Sequence, residues 1–133
     1  MDMARILIVD NDRDMRQMIS EILKEEGHSV DAACNGVTAL EGIRTTAYDL
    51  IILDYKLPDI GGIKVLEEAR RIRTALRAVM ISAYGNAAVK SRATELSAYA
   101  FLDKPFEMTA LASVVKEALA CRAPCGELKT INP

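Results

Sequence analysis

Residues 6–15 read ILIVDNDRDM, an apolar run that breaks into three acids within five positions, Asp10, Asp12 and Asp14, with Asn11 and Arg13 between them. A continuous Ile/Val-rich run of this length predicts a strand buried on both faces, as in a parallel sheet. Acids crowded at the end of such a strand repel one another, so a compensating group has to come from elsewhere in the chain. RILIV (5–9), DLIIL (49–53) and RAVMIS (77–82) are runs of the same kind, while SVDAA (29–33) and YAFLD (99–103) are weaker strand signals.

Helical periodicity fills the gaps between these runs. Met15, Met18, Ile19, Ile22 and Leu23 repeat at i, i+3, i+4, i+7 and i+8 and predict a helix with one apolar, core-facing stripe. Asp12 is placed to cap its start and Gly27 to stop it. Val37, Leu40 and Ile43 mark a second helix, opened by the turn pair Asn35-Gly36. Ile63, Leu66, Ala69 and Ile72 mark a third, preceded by Gly61-Gly62, and Asn86 to Leu96 is a weaker, alanine-rich fourth. Leu111, Val114, Val115, Ala118 and Leu119 mark the last. The order is βαβαβαβαβα, and strict alternation implies a doubly wound, five-stranded parallel α/β sheet with helices on both faces.

Composition narrows the function classes. The chain has 133 residues, the size of one domain, and is 50% hydrophobic. Its net charge of −2 and pI of about 5.5 argue against direct nucleic-acid binding. No apolar run approaches the ~18 residues that span a bilayer, and ILIV is too short for a signal-peptide core, so a cytoplasmic protein is expected. Cys34, Cys121 and Cys125 are an odd count and are expected as free thiols rather than metal ligands. Composition breaks after Ala120, where CRAPCGELKTINP lacks periodicity. The expected boundaries are a domain over 1–121 and a tail or linker start over 122–133.

In open parallel sheets, function gathers at the carboxyl ends of the strands. Here those ends carry Asp10, with Asn11 and Asp12 behind it, then Asp54, Ser82 and Lys104. In the flavodoxin-like order 2-1-3-4-5, the first and third strands are neighbours at ~4.8 Å, which brings Asp10 and Asp54 together. Two such carboxylates raise each other's pKa unless a cation lies between them. An all-oxygen donor set completed by water suits Mg²⁺, with Mn²⁺ as the alternative. A metal, an ammonium and a hydroxyl around one aspartate form an apparatus for phosphoryl transfer, with the aspartate as nucleophile.

At these residues the chain resembles the receiver domain of two-component response regulators. ILIVD ending at Asp10, LDYKLPD around Asp54, ISAYG around Ser82 and FLDKPFE around Lys104 stand in the family's order, and the match runs from residue 4 to about 120. The resemblance implies that Asp54 is the phospho-acceptor and that Asp10, Asn11, Asp54 and the backbone carbonyl of Lys56 hold Mg²⁺. It implies that Lys104 pairs first with the acceptor and then with the phosphoryl group. Pro105 would follow a cis peptide bond, and Ser82 would hydrogen-bond the phosphoryl group. Phe101 would be the aromatic switch that turns inward, and the side chains of Lys56 and Tyr84 would tune dephosphorylation. The phosphoryl donor would be a histidine kinase or histidine phosphotransfer protein, and the face of the fourth helix, fifth strand and fifth helix would be the one that switches.

Asn11 departs from the pattern, because the family usually has a second acid there. Gly61, where an acid often precedes the glycine, and Ser97, where glycine is usual, are smaller departures. Asp12 is expected to cap the helix rather than replace the missing acid. Two other readings remain: a degenerate receiver that binds partners without phosphorylation, and a phosphatase of the DxD type with Asp10 as nucleophile. The output is open between a separate protein target and an effector domain on a longer chain, with a phosphorylation-dependent dimer as a further expectation.

Overall fold

The structure, a computed structural model, describes residues 3–83, 86–120 and the backbone of 129–131. In chain order the elements are β1 (Arg5–Val9), α1 (Arg13–Glu25), β2 (Ser29–Ala33), α2 (Gly36–Thr45), β3 (Leu50–Asp54), α3 (Gly62–Ile72), β4 (Arg77–Ser82), α4 (Ala87–Glu95), β5 (Ala100–Asp103), α5 (Met108–Ala120) and β6 (Lys129–Ile131). The sheet order is β2-β1-β3-β4-β5-β6 and every pairing is parallel. The expected order 2-1-3-4-5 is therefore present, extended by one strand. β6 comes from the segment expected as a tail and pairs Ala100 with Lys129 and Leu102 with Ile131. Three residues without alternation give no strand signal; the unpaired N–H and C=O groups along the edge of β5 recruit them.

The strand runs bury both faces, as their unbroken hydrophobicity implied. Leu7, Val9, Ile51, Leu53, Met80 and Phe101 face α2, α3 and α4, while Ile6, Ile8, Ile52, Val79, Ile81 and Leu102 face α1 and α5. Two expected stripe residues are instead exposed: Met18 at 49% and Val37 at 53%. In α1 the buried residues are Ile19 and Leu23. At ~100° per residue Met18 lies ~100° from Ile19 and ~140° from Leu23, beyond the face that touches the sheet. Val37 sits in the first turn of α2, away from the buried Ala39, Leu40 and Ile43.

The caps follow the sequence signals. Asp12 accepts the N–H groups of Asp14 and Met15, Asn35 accepts that of Thr38, and Asn86 accepts that of Val89. Gly27 has φ +94°, a left-handed turn that a side chain would oppose. Ser97 has φ 61°, so the departure from glycine there leaves an L-residue in the same left-handed region. Its carbonyl is held by Arg70, whose guanidinium also donates to the carbonyls of Leu96 and Leu76. Arg70 thereby pins the end of α4 to α3 and to the start of β4.

Candidate functional site

Asp10 follows β1, Asp54 ends β3, Ser82 ends β4 and Lys104 follows β5, so all four arrive at one edge of the sheet. Asp10 and Ser82 are 1% and 0% exposed, and Asp54 is 7% exposed. The Lys104 Nζ donates to Asp10 Oδ2 at 3.0 Å and to Asp54 Oδ2 at 3.1 Å. This ammonium compensates Asp10 and Asp54, and it arrives from 94 residues beyond Asp10 in sequence. The peptide bond from Lys104 to Pro105 is cis, as the resemblance implied.

Main-chain bonds fix the loops around this centre. Asp10 Oδ1 accepts the Asp12 N–H at 2.8 Å, and the Arg16 guanidinium holds the Asp10 carbonyl at 2.7 Å. Asp54 Oδ1 accepts the Lys56 N–H at 3.3 Å. The Ser82 carbonyl accepts the Lys104 N–H at 2.8 Å, and Ser82 stands in register with Asp103. The loop after β3 is anchored by Asp59, whose carboxylate accepts the N–H groups of Gly36 and Val37, both at 2.9 Å. Those backbone bonds hold the Asp59 carboxyl below the usual carboxylate range.

Each acid in the opening motif has a separate task. Asp10 enters the pocket, Asp12 caps α1, and Asp14 is exposed in the first turn of α1. Asn11 is exposed beside the pocket. Phe101 is fully buried on the α4 side of the sheet. Tyr84, Cys121 and Cys125 lie outside the described residues, and Cys34 is an exposed free thiol. Among the described residues, no group of three or more His, Cys, Asp and Glu side chains is placed to hold a metal ion. Asp59, Arg16 and Arg70 were not singled out from sequence. Each acts on backbone groups, and no spacing rule announces such bonds.

Electrostatics separate the two pocket partners. Burial pushes the Asp54 carboxyl above its ordinary value and the Asp10 charge adds to this, while Lys104 and the Lys56 N–H act in the opposite sense. Burial opposes the charge on Lys104, but bonding to Asp10 and the charges of both aspartates together hold its ammonium above the ordinary lysine value. A carboxyl raised on folding contributes stability that is full below its unfolded pKa and is lost as pH rises through the folded value. Asp54→Asn keeps the neutral form at every pH. We expect it to melt above the wild type near pH 7. The difference should close as pH falls below about 4. Melting curves from pH 3.5 to 8 check this.

Comparison with known proteins agrees with the geometry. The model of the response regulator receiver domain matches residues 6–116. The chain is 31% identical over 119 residues to sporulation initiation phosphotransferase F of Bacillus subtilis, covering 90% of this chain and 96% of that protein. It is 35% identical over 116 residues to the chemotaxis protein CheY of the same organism, covering 86% and 97%. Against the DNA-binding transcriptional regulator NtrC of Azospirillum brasilense it is 34% identical over 93% of its own length, but it spans only 26% of that protein. Among solved structures, a CheY-like receiver domain protein of Methanospirillum hungatei superposes with TM-score 0.87 at 30% identity, over 90% of this chain and 95% of that one. Among the described residues no helix is long and apolar enough to cross a membrane.

Proposed function

The chain belongs to the response regulator receiver family of two-component signalling, and from that premise we propose that Asp54 takes a phosphoryl group from a phosphohistidine partner and that the domain acts as a switch rather than a classical enzyme. The observation that carries this reading is the single ammonium of Lys104 shared between Asp10 and Asp54 at the end of the sheet. An Asp54 carboxylate oxygen attacks phosphorus as the phosphorus–nitrogen bond breaks, and the bonding pair returns to the imidazole of the donor. Lys104 can follow the charge from Asp54 onto the phosphoryl oxygens without leaving the pocket. Ser82, one step beyond the partner of Asp54 on the neighbouring strand, supplies a hydroxyl for the same group. Phe101 and the face of α4, β5 and α5 are the elements that respond, by a shift between two pre-existing packings.

The donor set of Asp10, Asn11, Asp54 and the Lys56 carbonyl is all oxygen, which fits a hard cation such as Mg²⁺, or Mn²⁺, with water completing its shell. Bound there, the ion would neutralise charge that builds on the phosphoryl oxygens. With Asn11 the set offers two carboxylates, so Asn11→Asp is expected to tighten Mg²⁺ by ~1–2 kcal/mol, from charges at ~4 Å and an effective dielectric near 20, discounted for exposure. Phosphoryl uptake from acetyl phosphate across a Mg²⁺ titration tests both points. The wild type should take up phosphate, and Asn11→Asp should reach half its maximal rate at about 5–30-fold less Mg²⁺. No uptake by either protein at any Mg²⁺ would favour the degenerate, binding-only reading.

The donor is a histidine kinase or a histidine phosphotransfer protein in the cytoplasm. The proposed receiver unit is 1–121, and 122–133 is a tail or linker start whose residues 129–131 return to the sheet as β6. The output passes to a separate protein or to an effector domain on a longer chain, with phosphorylation-dependent dimerisation of the α4–β5–α5 face as one form it can take. In this reading the side chains of Lys56 and Tyr84 tune the rate of dephosphorylation.

A further inference from the structure

α4 is weakly held by apolar contact. Its nine residues bury only Val89 and Ala93, and a cleft of about 710 Å³ separates its first turn from the loop after β3. Polar ties carry the rest of its attachment. Arg92 in its last turn pairs with Glu67, and just beyond it Arg70 holds the carbonyls of Leu96 and Ser97. The third tie is Lys90, whose Nζ donates to Asp103 Oδ2 at 3.1 Å. The same Nζ lies over the ring of Phe101, 5.6 Å from its centroid.

The placement of these three side chains has a consequence. Phe101 and Asp103 are two apart on β5 and so share one face of the sheet. Lys90 therefore spans from α4 across the buried ring to the strand residue that precedes Lys104 and stands in register with Ser82. A ring that left the core would forfeit the cation above its face and would meet the Lys90–Asp103 pair on its way out. The pair is 27% and 28% exposed, so salt screens it less than a surface bridge.

We propose that Lys90 and Asp103 form a clasp that biases this receiver toward the inward Phe101 packing, and thereby raises its readiness to accept a phosphoryl group. This rests on the phospho-accepting reading above, in which the inward ring belongs to the phosphorylated state. Lys90 and Asp103 are positioning residues; neither touches the reacting atoms. Removing the clasp lowers the population of the competent packing, and apparent affinity for any ligand of that packing falls with it.

The test uses the full chain labelled with 4-fluorophenylalanine, which places fluorine at only Phe101 and Phe106. In Lys90→Met and in Asp103→Asn the Phe101 resonance should move toward the exposed fluorophenylalanine position, whereas Lys90→Arg should leave it in place. Affinity for beryllofluoride with Mg²⁺ should fall about fivefold in the first two variants, the lower end of site-to-site coupling, and recover in Lys90→Arg. The ring signal is read without beryllofluoride. A wild type that fails to bind this mimic would count against phospho-acceptance, while the ring position alone still decides the clasp. An unmoved Phe101 signal in both Lys90→Met and Asp103→Asn would overturn the proposal.

Discussion

Replacing Lys104 by methionine is expected to slow phosphoryl uptake from acetyl phosphate about 10²–10³-fold, the usual loss when one preorganised charge is removed from a reacting centre. The ammonium contacts both Asp10 and Asp54, so its loss leaves two buried carboxylates facing each other without a fixed cation. Asp54 is already pushed up by burial and by Asp10, with Lys104 as the charge that opposes them. Without it the carboxyl rises further, and the acid limb of the rate–pH profile should move to higher pH. Uptake rates at saturating Mg²⁺ from pH 5 to 9 measure both effects. Lys104→Arg, which keeps the charge in a longer and planar group, should retain part of the rate. A methionine variant within about tenfold of the wild type and with an unmoved profile would remove Lys104 from the chemistry.

A methyl group at Gly62 is expected to cost about 3 kcal/mol, the upper part of the range for overpacking, because what it meets is main chain. A Cβ there would lie 2.3 Å from the Asp54 carbonyl oxygen and 2.8 Å from Tyr55 Cα. Gly62 also donates its N–H to the Tyr55 carbonyl at 2.7 Å, so the first turn of α3 and the loop after the acceptor are locked together. The clash can be relieved only by moving the backbone that aims Asp54. Gly62→Ala should therefore melt about 10 °C or more below the wild type and lose phosphoryl uptake in the protein that remains folded. At Gly61 an added Cβ would meet only the Tyr55 carbonyl oxygen, at 3.9 Å, and Gly61→Ala should be near neutral. Equal melting temperatures for the two variants would show that the α3 approach is looser than its distances imply.

Much of this was legible because the signals are local. The strand runs lie within a residue of the observed spans; the run read as DLIIL is Leu50–Asp54, with the acceptor as the strand's last residue. Asp12 caps α1 as expected, since capping is set within three residues, and the Asn35 and Asn86 that open the next helical segments prove to be caps as well. The strand ends gave Asp10, Asp54, Ser82 and Lys104 directly. The Lys104 contacts became readable once the sheet order made the ends of β1, β3, β4 and β5 adjacent. What stayed hidden acts across long separations or on main-chain atoms. Asp59 reaches back 22 and 23 residues to cap α2, and Arg70 reaches forward 26 and 27 residues to the carbonyls that end α4. β6 is three residues without alternation, which give no strand signal in the sequence. The burial of Phe101 beneath Lys90 depends on where α4 docks, which an alanine-rich helix does not encode in its periodicity.

The measurement that tests the central claim most directly is the intact mass of the wild type, Asp54→Ala and Asp10→Asn after incubation with acetyl phosphate and Mg²⁺, before and after hydroxylamine. Asp54→Ala should stay folded, because the pocket favours the neutral form of that carboxyl. The account predicts one hydroxylamine-labile phosphoryl group on the wild type, none on Asp54→Ala, and slower but detectable labelling of Asp10→Asn. Labelling of Asp54→Ala together with loss of labelling in Asp10→Asn would contradict it and make Asp10 the nucleophile.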